Sequence, residues 1–547
     1  MRRLVPVVIL ALIPLTVVLP QVPASAAPGV PADPQVVFSE EFENGQGATP
    51  ILVTGYTGPA PHAMTYTADP AWLTACNGII ASRLNPVAVP PLAAPCPGFW
   101  GSIRTLAGVL GQWSGGDPAT NHAVTGYTAG NPGAPKVQLE TEQPVSIGSG
   151  SRFVTFSVDA ASVNCFANHA LFGFYLVDGD TQIPTFSEPI DPCADPGTVV
   201  DGVAVGTYTS DAPVLFTGAE LGVRMVNLQP SGGGNDGAID NVRVLDVTPQ
   251  LDLSHAPAAP VIGQDVTLTF TVTNTSDLRV KNGWSFEAAL PAGLSATGAP
   301  TSDCTPASAS ESDGVVSVSG GLGDGVTSCT ITVPVRAATI GTYEVCASER
   351  VGLNPSGCTS VTFTAPEYKF DAHAHAAKVV VPLVPSDISC TATPGSDSDS
   401  LLTAVIPAVA SLGVLTTEAS GTVASNGLRT ARAKATTAKL NLLNGLITAE
   451  EITAEAVAAS TASGTVTTAG TTTFTALKVN GSAVTNPPVN HTITIPLVAK
   501  IVFNEQVPSA NGVKVNAIHV TTVLGVDVVV SHSRALLALP GQPCTYL

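Results

Sequence analysis

Alternation of apolar and polar residues dominates the chain. In QDVTLTFTVTN, Val266, Leu268, Phe270 and Val272 fall on one side, and Thr267, Thr269 and Thr271 on the other. A period of two marks a strand with one face on a core and one in water. Val154, Phe156 and Val158 repeat it in RFVTFSVD, as do Leu221, Val223 and Met225, then Val242 and Val244. CTITVPV, TYEVCAS and CTSVTFT follow, and later HTITIP, VNAIHVTTV and VDVVVSH. Gly, Pro, Asn and Asp clusters separate these runs, and no convincing amphipathic helix interrupts them before Val247. The pattern predicts an all-β, multi-domain chain of sandwiches.

Asn-Gly recurs at Asn426-Gly427, Asn444-Gly445, Asn480-Gly481 and Asn511-Gly512. Both residues tolerate the positive φ of a tight hairpin turn, so each pair predicts a strand reversal. One stretch is ambiguous. Thr448-Ala449-Glu450-Glu451 fits a helix capping box, and Leu446, Ala449, Ile452, Ala456 and Ala459 could share a helical face. The β-rich flanks and the Asn-Gly before it favour a strand, which is the expectation for 446–459. Ser396-Asp397-Ser398-Asp399-Ser400, after Pro394-Gly395, reads as a solvated loop.

Two joints divide the chain. Asn235 to Ser276 closes one β-domain, crosses a Pro/Ala linker and opens another; Ala365-Pro366 marks the next. The expected modules are 33–248, a jelly-roll-like sandwich, 249–365, an immunoglobulin-like sandwich, and 367–547, a C-terminal β-rich domain. Residues 1–26 read as a secretory signal: Arg2 and Arg3, an apolar run from Leu4 to Leu19, and the small-residue cleavage site Ala24-Ser25-Ala26. No transmembrane segment is expected after its removal.

Only 12% of residues are charged and 44% are apolar, which suits folded cores rather than disorder. The net charge of −19 becomes −21 when Arg2 and Arg3 leave with the signal. That acidity speaks against nucleic acid and against anionic membranes as partners, since both demand clustered Lys and Arg. The ten cysteines fall in even numbers within each module, as disulfides in an exported protein require. The expected pairs are Cys76–Cys96, Cys165–Cys193, Cys304–Cys329, Cys346–Cys358 and Cys390–Cys544. No CxxC occurs, so neither a zinc knuckle nor a redox dithiol is suggested.

Three resemblances follow from these stretches. FSEEFENG and AIDNVRVLD resemble the first and last strands of jelly-roll, carbohydrate-binding-module-like domains. LDLSHAPAAPVIGQDVTLTFTVTNTSDLRVKNGWSFEAALPAGL resembles the DUF11-like repeat domains of secreted bacterial surface proteins. That likeness implies a spacer without catalytic residues, with Trp284 and Phe286 in its core. DAHAHAAKVVVPLVPSDISC, LNLLNGLITAEEITAEAVAAS and TTFTALKVNG resemble the choice-of-anchor P domain of exported proteins, which implies surface association.

Candidate chemistry is sparse. In jelly-rolls of this kind an acidic residue near the first strand and an Asp on the last share a calcium ion, which places Glu41, Glu43 and Asp240 as candidate ligands. No cofactor is required otherwise. Trp72, Trp100 and Trp113, in the irregular region between Ala60 and Gly130, are candidate sugar-stacking rings, with core packing the favoured alternative. Asp371, His373 and His375 would share one face of a strand, the way metal ligands are presented, but no downstream motif completes a site. HExxH, GxSxG and P-loop patterns are absent. Leu539-Pro540-Gly541 lacks the apolar span and basic tail of a sortase signal. The expectation is a non-enzymatic structural or adhesive protein of the cell surface, its partner the cell envelope or an extracellular glycan or protein; the alternative is a carbohydrate-binding protein acting through the N-terminal domain.

Overall fold

A computed structural model of the chain describes residues 27–73, 76–86, 98–128, 130–148, 150–355 and 357–545. The signal segment and Cys96, with its expected bond to Cys76, lie outside the described residues. The chain folds into three two-sheet units, each built on the alternation seen in the sequence.

The N-terminal unit packs a nine-stranded sheet on a six-stranded one. Its first strand, Gln35–Glu40, pairs antiparallel with its last, Asp236–Asp246. Phe38, Phe156, Phe174, Val223 and Ile239 close the core between the sheets. One element departs from the all-strand expectation. Trp100–Trp113 is an α-helix lying on the outer face of the larger sheet, where Leu106, Val109 and Leu110 meet Ala123, Val203 and Val205. Gly101, Gly108 and Gly111 lower its helix propensity and hid it. Two of them are demanded by packing: a Cβ on Gly108 would meet the Arg83 side chain at 2.0 Å, and one on Gly111 would meet Asn121 Cβ at 2.5 Å.

The middle unit faces a six-stranded sheet against a five-stranded one across Phe270, Phe286 and the buried Trp284. It meets its neighbours at opposite ends. At one, Phe153 of the N-terminal unit packs into the middle unit's own core, and the Arg279 guanidinium donates to the carbonyls of Ser210 and Asp211 at 2.6 and 2.7 Å. At the other, the Ile340 amide donates to the Ala462 carbonyl at 2.9 Å.

The C-terminal unit stacks a six-stranded sheet, in the order Pro382–Thr391, Lys369–Lys378, Asp527–Ala538, Gly512–Thr522, Ala499–Ser509 and His491–Ile495, on a nine-stranded one. Alanines line both inner faces: Ala372, Ala374 and Ala376 meet a layer that includes Ala433, Ala435 and Ala454, all fully buried. Side chains this small let the sheets approach closely. The four Asn-Gly pairs all lie at strand reversals, and Asn444, Gly445, Asn480 and Gly481 have positive φ.

The ambiguous stretch is a strand, Ile447–Ser460. Its helix-like spacing has a local cause. Lys439 on the partner strand has φ 49°, and both strands change phase there, so Ala449 and Ile452 are both buried although three apart. The Ser/Asp run expected as a loop is instead the edge strand Gly395–Leu401, fully exposed and paired with Leu415–Val423. Its aspartates keep an open edge from recruiting another chain.

Candidate functional site

Disulfides join Cys165 to Cys193, Cys304 to Cys329, Cys346 to Cys358 and Cys390 to Cys544. Each closes within one unit. The candidate calcium ligands all meet protein donors. Glu43 accepts the His122 backbone and ring N–H groups at 2.5 and 2.8 Å. Buried Asp240 accepts from the Asn121 amide and the Asn241 N–H at 2.8 and 2.7 Å, and Glu41 lies 3.6 Å from Arg243. Of the candidate stacking rings, Trp72 and Trp100 are buried. Trp113 is half-buried and donates its ring N–H to the Thr207 hydroxyl at 2.9 Å.

A different constellation sits on the outer face of the C-terminal six-stranded sheet. Alternation along Lys369–Lys378 sends Phe370, Ala372 and Ala374 into the core and Asp371, His373 and His375 outward. The neighbouring strand Asp527–Ala538 does the same, burying Val530 and Ala535 in the core and presenting His532 and Arg534. Register sets His375 directly opposite His532, and His373 opposite Arg534. The rings of His375 and His532 stack at 4.3 Å, and His373 Nε2 lies 3.5 Å from His375 Nδ1. Sequence reading found the first two histidines and missed the third. His532 lies about 160 residues on, in a strand that was legible, but pairing between distant strands is not written in either of them.

A polar row supports this cluster. Asn516 accepts from His532 Nδ1 at 2.6 Å and donates to Glu505 at 2.5 Å. Glu505 and Asp527 then clamp His519, at 2.9 and 2.7 Å from its two ring nitrogens. Asp387 lies 3.6 Å from His373 Nδ1, and Arg534 pairs with Asp371 at 3.0 Å. Burial holds His375 neutral, its pKa down to about 3, and drives His532 well below its ordinary value.

His519 shifts the other way: the hydrogen bond to Glu505 raises its pKa against the opposing effect of burial, with Asp527 adding to it. A folded pKa above the unfolded 6.5 stabilises the fold fully below pH 6.5, and the contribution disappears as pH climbs through the folded value. His519→Gln is therefore expected to lower the unfolding temperature of the C-terminal unit at pH 6 and to have little effect at pH 9. The expected loss at pH 6 is about 1 kcal/mol, because the pair is partly exposed. Calorimetry at the two pH values checks it, and equal losses would contradict it.

The fold and sites together define a multi-domain, disulfide-bonded all-β protein. Residues 249–365 match the family DUF7933, a domain of unknown function, where the sequence resembled a DUF11-like repeat. Among solved structures the chain is similar to a variant of BcpA, the major pilin subunit of Bacillus cereus. That likeness has 11% identity over 50% of this chain and 92% of that one, with a TM-score of 0.20, too low for any inference to rest on it. No curated protein matches the chain.

Proposed function

We propose that the chain is an extracellular structural spacer that settles on an anionic lipid surface through the far end of its C-terminal unit. One observation carries this. The five most exposed large hydrophobic side chains among the described residues all lie at that end: Leu497 (91%), Leu524 (89%), Val380 (85%), Leu402 (78%) and Val405 (71%). Strand register puts their hairpin tips together, opposite the end that meets the middle unit. Soluble surfaces rarely cluster apolar tips this way without a partner.

The charge at this end differs from that of the chain as a whole. Whole-chain acidity spoke against an anionic membrane, but Lys378, Lys439, Lys478 and Lys500, four of the seven lysines of the C-terminal unit, stand exposed just behind the tips. Asp399, Glu450, Glu451 and Asp527 accompany them, Asp527 already engaged by His519, so this end carries both signs in equal number instead of the net negative charge of the whole chain. Each lysine near an anionic surface contributes roughly 1 kcal/mol, and each aliphatic tip buried in the headgroup boundary roughly 1.5–3 kcal/mol. The tips stand on separate hairpins, an arrangement suited to dipping into a lipid surface. The disulfides support an oxidising, extracellular setting. No helix among the described residues is long and apolar enough to cross a membrane. The packed joints at both ends of the middle unit support its role as a spacer.

Flotation with phosphatidylglycerol-containing vesicles is expected to carry the protein upward, more weakly at high salt, and phosphatidylcholine vesicles to carry much less. Leu497→Asp with Leu524→Asp, both on exposed tips, should cut the floated fraction at least tenfold with an unchanged circular dichroism spectrum. The reading fails if no vesicle floats the chain, if the substitutions leave flotation intact, or if they merely break a dimer.

A further inference from the structure

We infer that His373, His375 and His532 form a binding site for a late first-row divalent metal ion, zinc foremost, on the outer face of the C-terminal sheet. The three side chains can each offer a ring nitrogen, all within 4.8 Å of one another. The 3.5 Å between His373 Nε2 and His375 Nδ1 is close to the edge of a tetrahedron built on bonds of about 2.0–2.1 Å, roughly 3.4 Å. Three other groupings of metal-competent side chains exist among the described residues, but each contains a cysteine already consumed in a disulfide. The histidine group is the one with all its donors free.

Hydrogen bonding sets the tautomers. Glu505 can only accept, so Asn516 must turn its NH2 toward it and its carbonyl toward His532. His532 Nδ1 is then the protonated nitrogen, and Nε2 keeps its lone pair. The Asp387 carboxylate, 3.6 Å from His373 Nδ1, favours the proton on that nitrogen through its charge and so leaves Nε2 bare. Carboxylate and amide partners behind metal-binding imidazoles are the usual means of fixing ring orientation. Between them, His375 is 5% exposed and turns its Nδ1 toward His373 Nε2, which makes Nδ1 the nitrogen it would offer the ion.

The donor set selects the ion. Three imidazoles suit zinc, copper or nickel, whereas calcium and magnesium require a shell of oxygens. The ion would clasp Lys369–Lys378 to Asp527–Ala538, with Asp387 contributed from Pro382–Thr391, and so would brace the sheet whose far end carries the apolar tips. The inference does not depend on lipid binding.

The test uses the untagged, metal-stripped full chain. Isothermal titration with ZnCl2 at pH 7.5 is expected to show one site per chain, unaffected by millimolar CaCl2 or MgCl2. CoCl2 should give the visible absorption of a nitrogen-ligated ion. His373→Gln, on a half-exposed ring, and His532→Gln should each weaken zinc binding at least tenfold, and His62→Gln, in the N-terminal unit, should not. Absence of a stoichiometric site, or a site that survives both sheet substitutions, would overturn the inference.

Discussion

Replacing Cys390 and Cys544 by serine is expected to destabilise the C-terminal unit by about 5 kcal/mol, nearly twice the loss of about 3 kcal/mol expected for Cys346 and Cys358. The difference lies in the loop each bond closes. Cys390 and Cys544 are 154 residues apart, against 12 for Cys346 and Cys358. A cross-link removes more freedom from the unfolded chain when the loop is longer. The long bond also ties Pro382–Thr391, an outer strand of the six-stranded sheet, to the segment that follows the last strand of the chain, Asp527–Ala538. For a unit of this size the loss corresponds to roughly 10–20 °C in unfolding temperature. Scanning calorimetry of the two double variants, without reductant, measures both. If the long-loop variant melted no lower than the short-loop one, the entropic account of this bond would be wrong.

The same contrast between local and distant relations decides what was legible in the sequence. Alternation is local, so Val266–Thr273 could be read as a strand with its buried face assigned, and VDVVVSH, the first half of Asp527–Ala538, could be read as a strand. The Asn-Gly reversals were equally visible, because the turn demands a backbone conformation that few other residues adopt. Trp100–Trp113 was not legible, since its three glycines speak against a helix until Arg83 and Asn121 are seen pressing against two of them. Gly395–Leu401 was misread for a related reason: its serine and aspartate side chains prefer turns, and only pairing with Leu415–Val423 holds it extended. Asp371, His373 and His375 declared themselves by their two-residue spacing. The meeting with His532 depends on which strands lie side by side, and nothing in either segment encodes that. The apolar tips were hidden for the opposite reason. Leu497 and Leu524 lie within a few residues of the core residues Ala499 and Val520, and their exposure follows only from where the hairpins turn.

The tight joint between the first two units leads to the second large effect. Phe153→Ala is expected to cost about 3–5 kcal/mol and to uncouple the unfolding of the N-terminal and middle units. On the strand Arg152–Val163, Val154 and Phe156 point into the N-terminal core while Phe153 turns outward, is 1% exposed, and belongs to the hydrophobic cluster of the middle unit. Gly352 makes room for it: with φ 62°, a Cβ there would stand 2.6 Å from the Phe153 ring. Leu215 and Leu245 of the N-terminal unit flank the same seat. Truncating the ring leaves a cavity shared by two units, so the loss should appear in both. In calorimetry the two units should melt together in the wild type and as separated transitions in the variant, with Phe153→Leu intermediate because it refills most of the space. Small-angle scattering should show a larger radius of gyration for Phe153→Ala as the joint loosens. Were the variant to shift only the N-terminal transition and leave the scattering unchanged, the two units would be independent beads, and the middle one could not act as a stiff spacer.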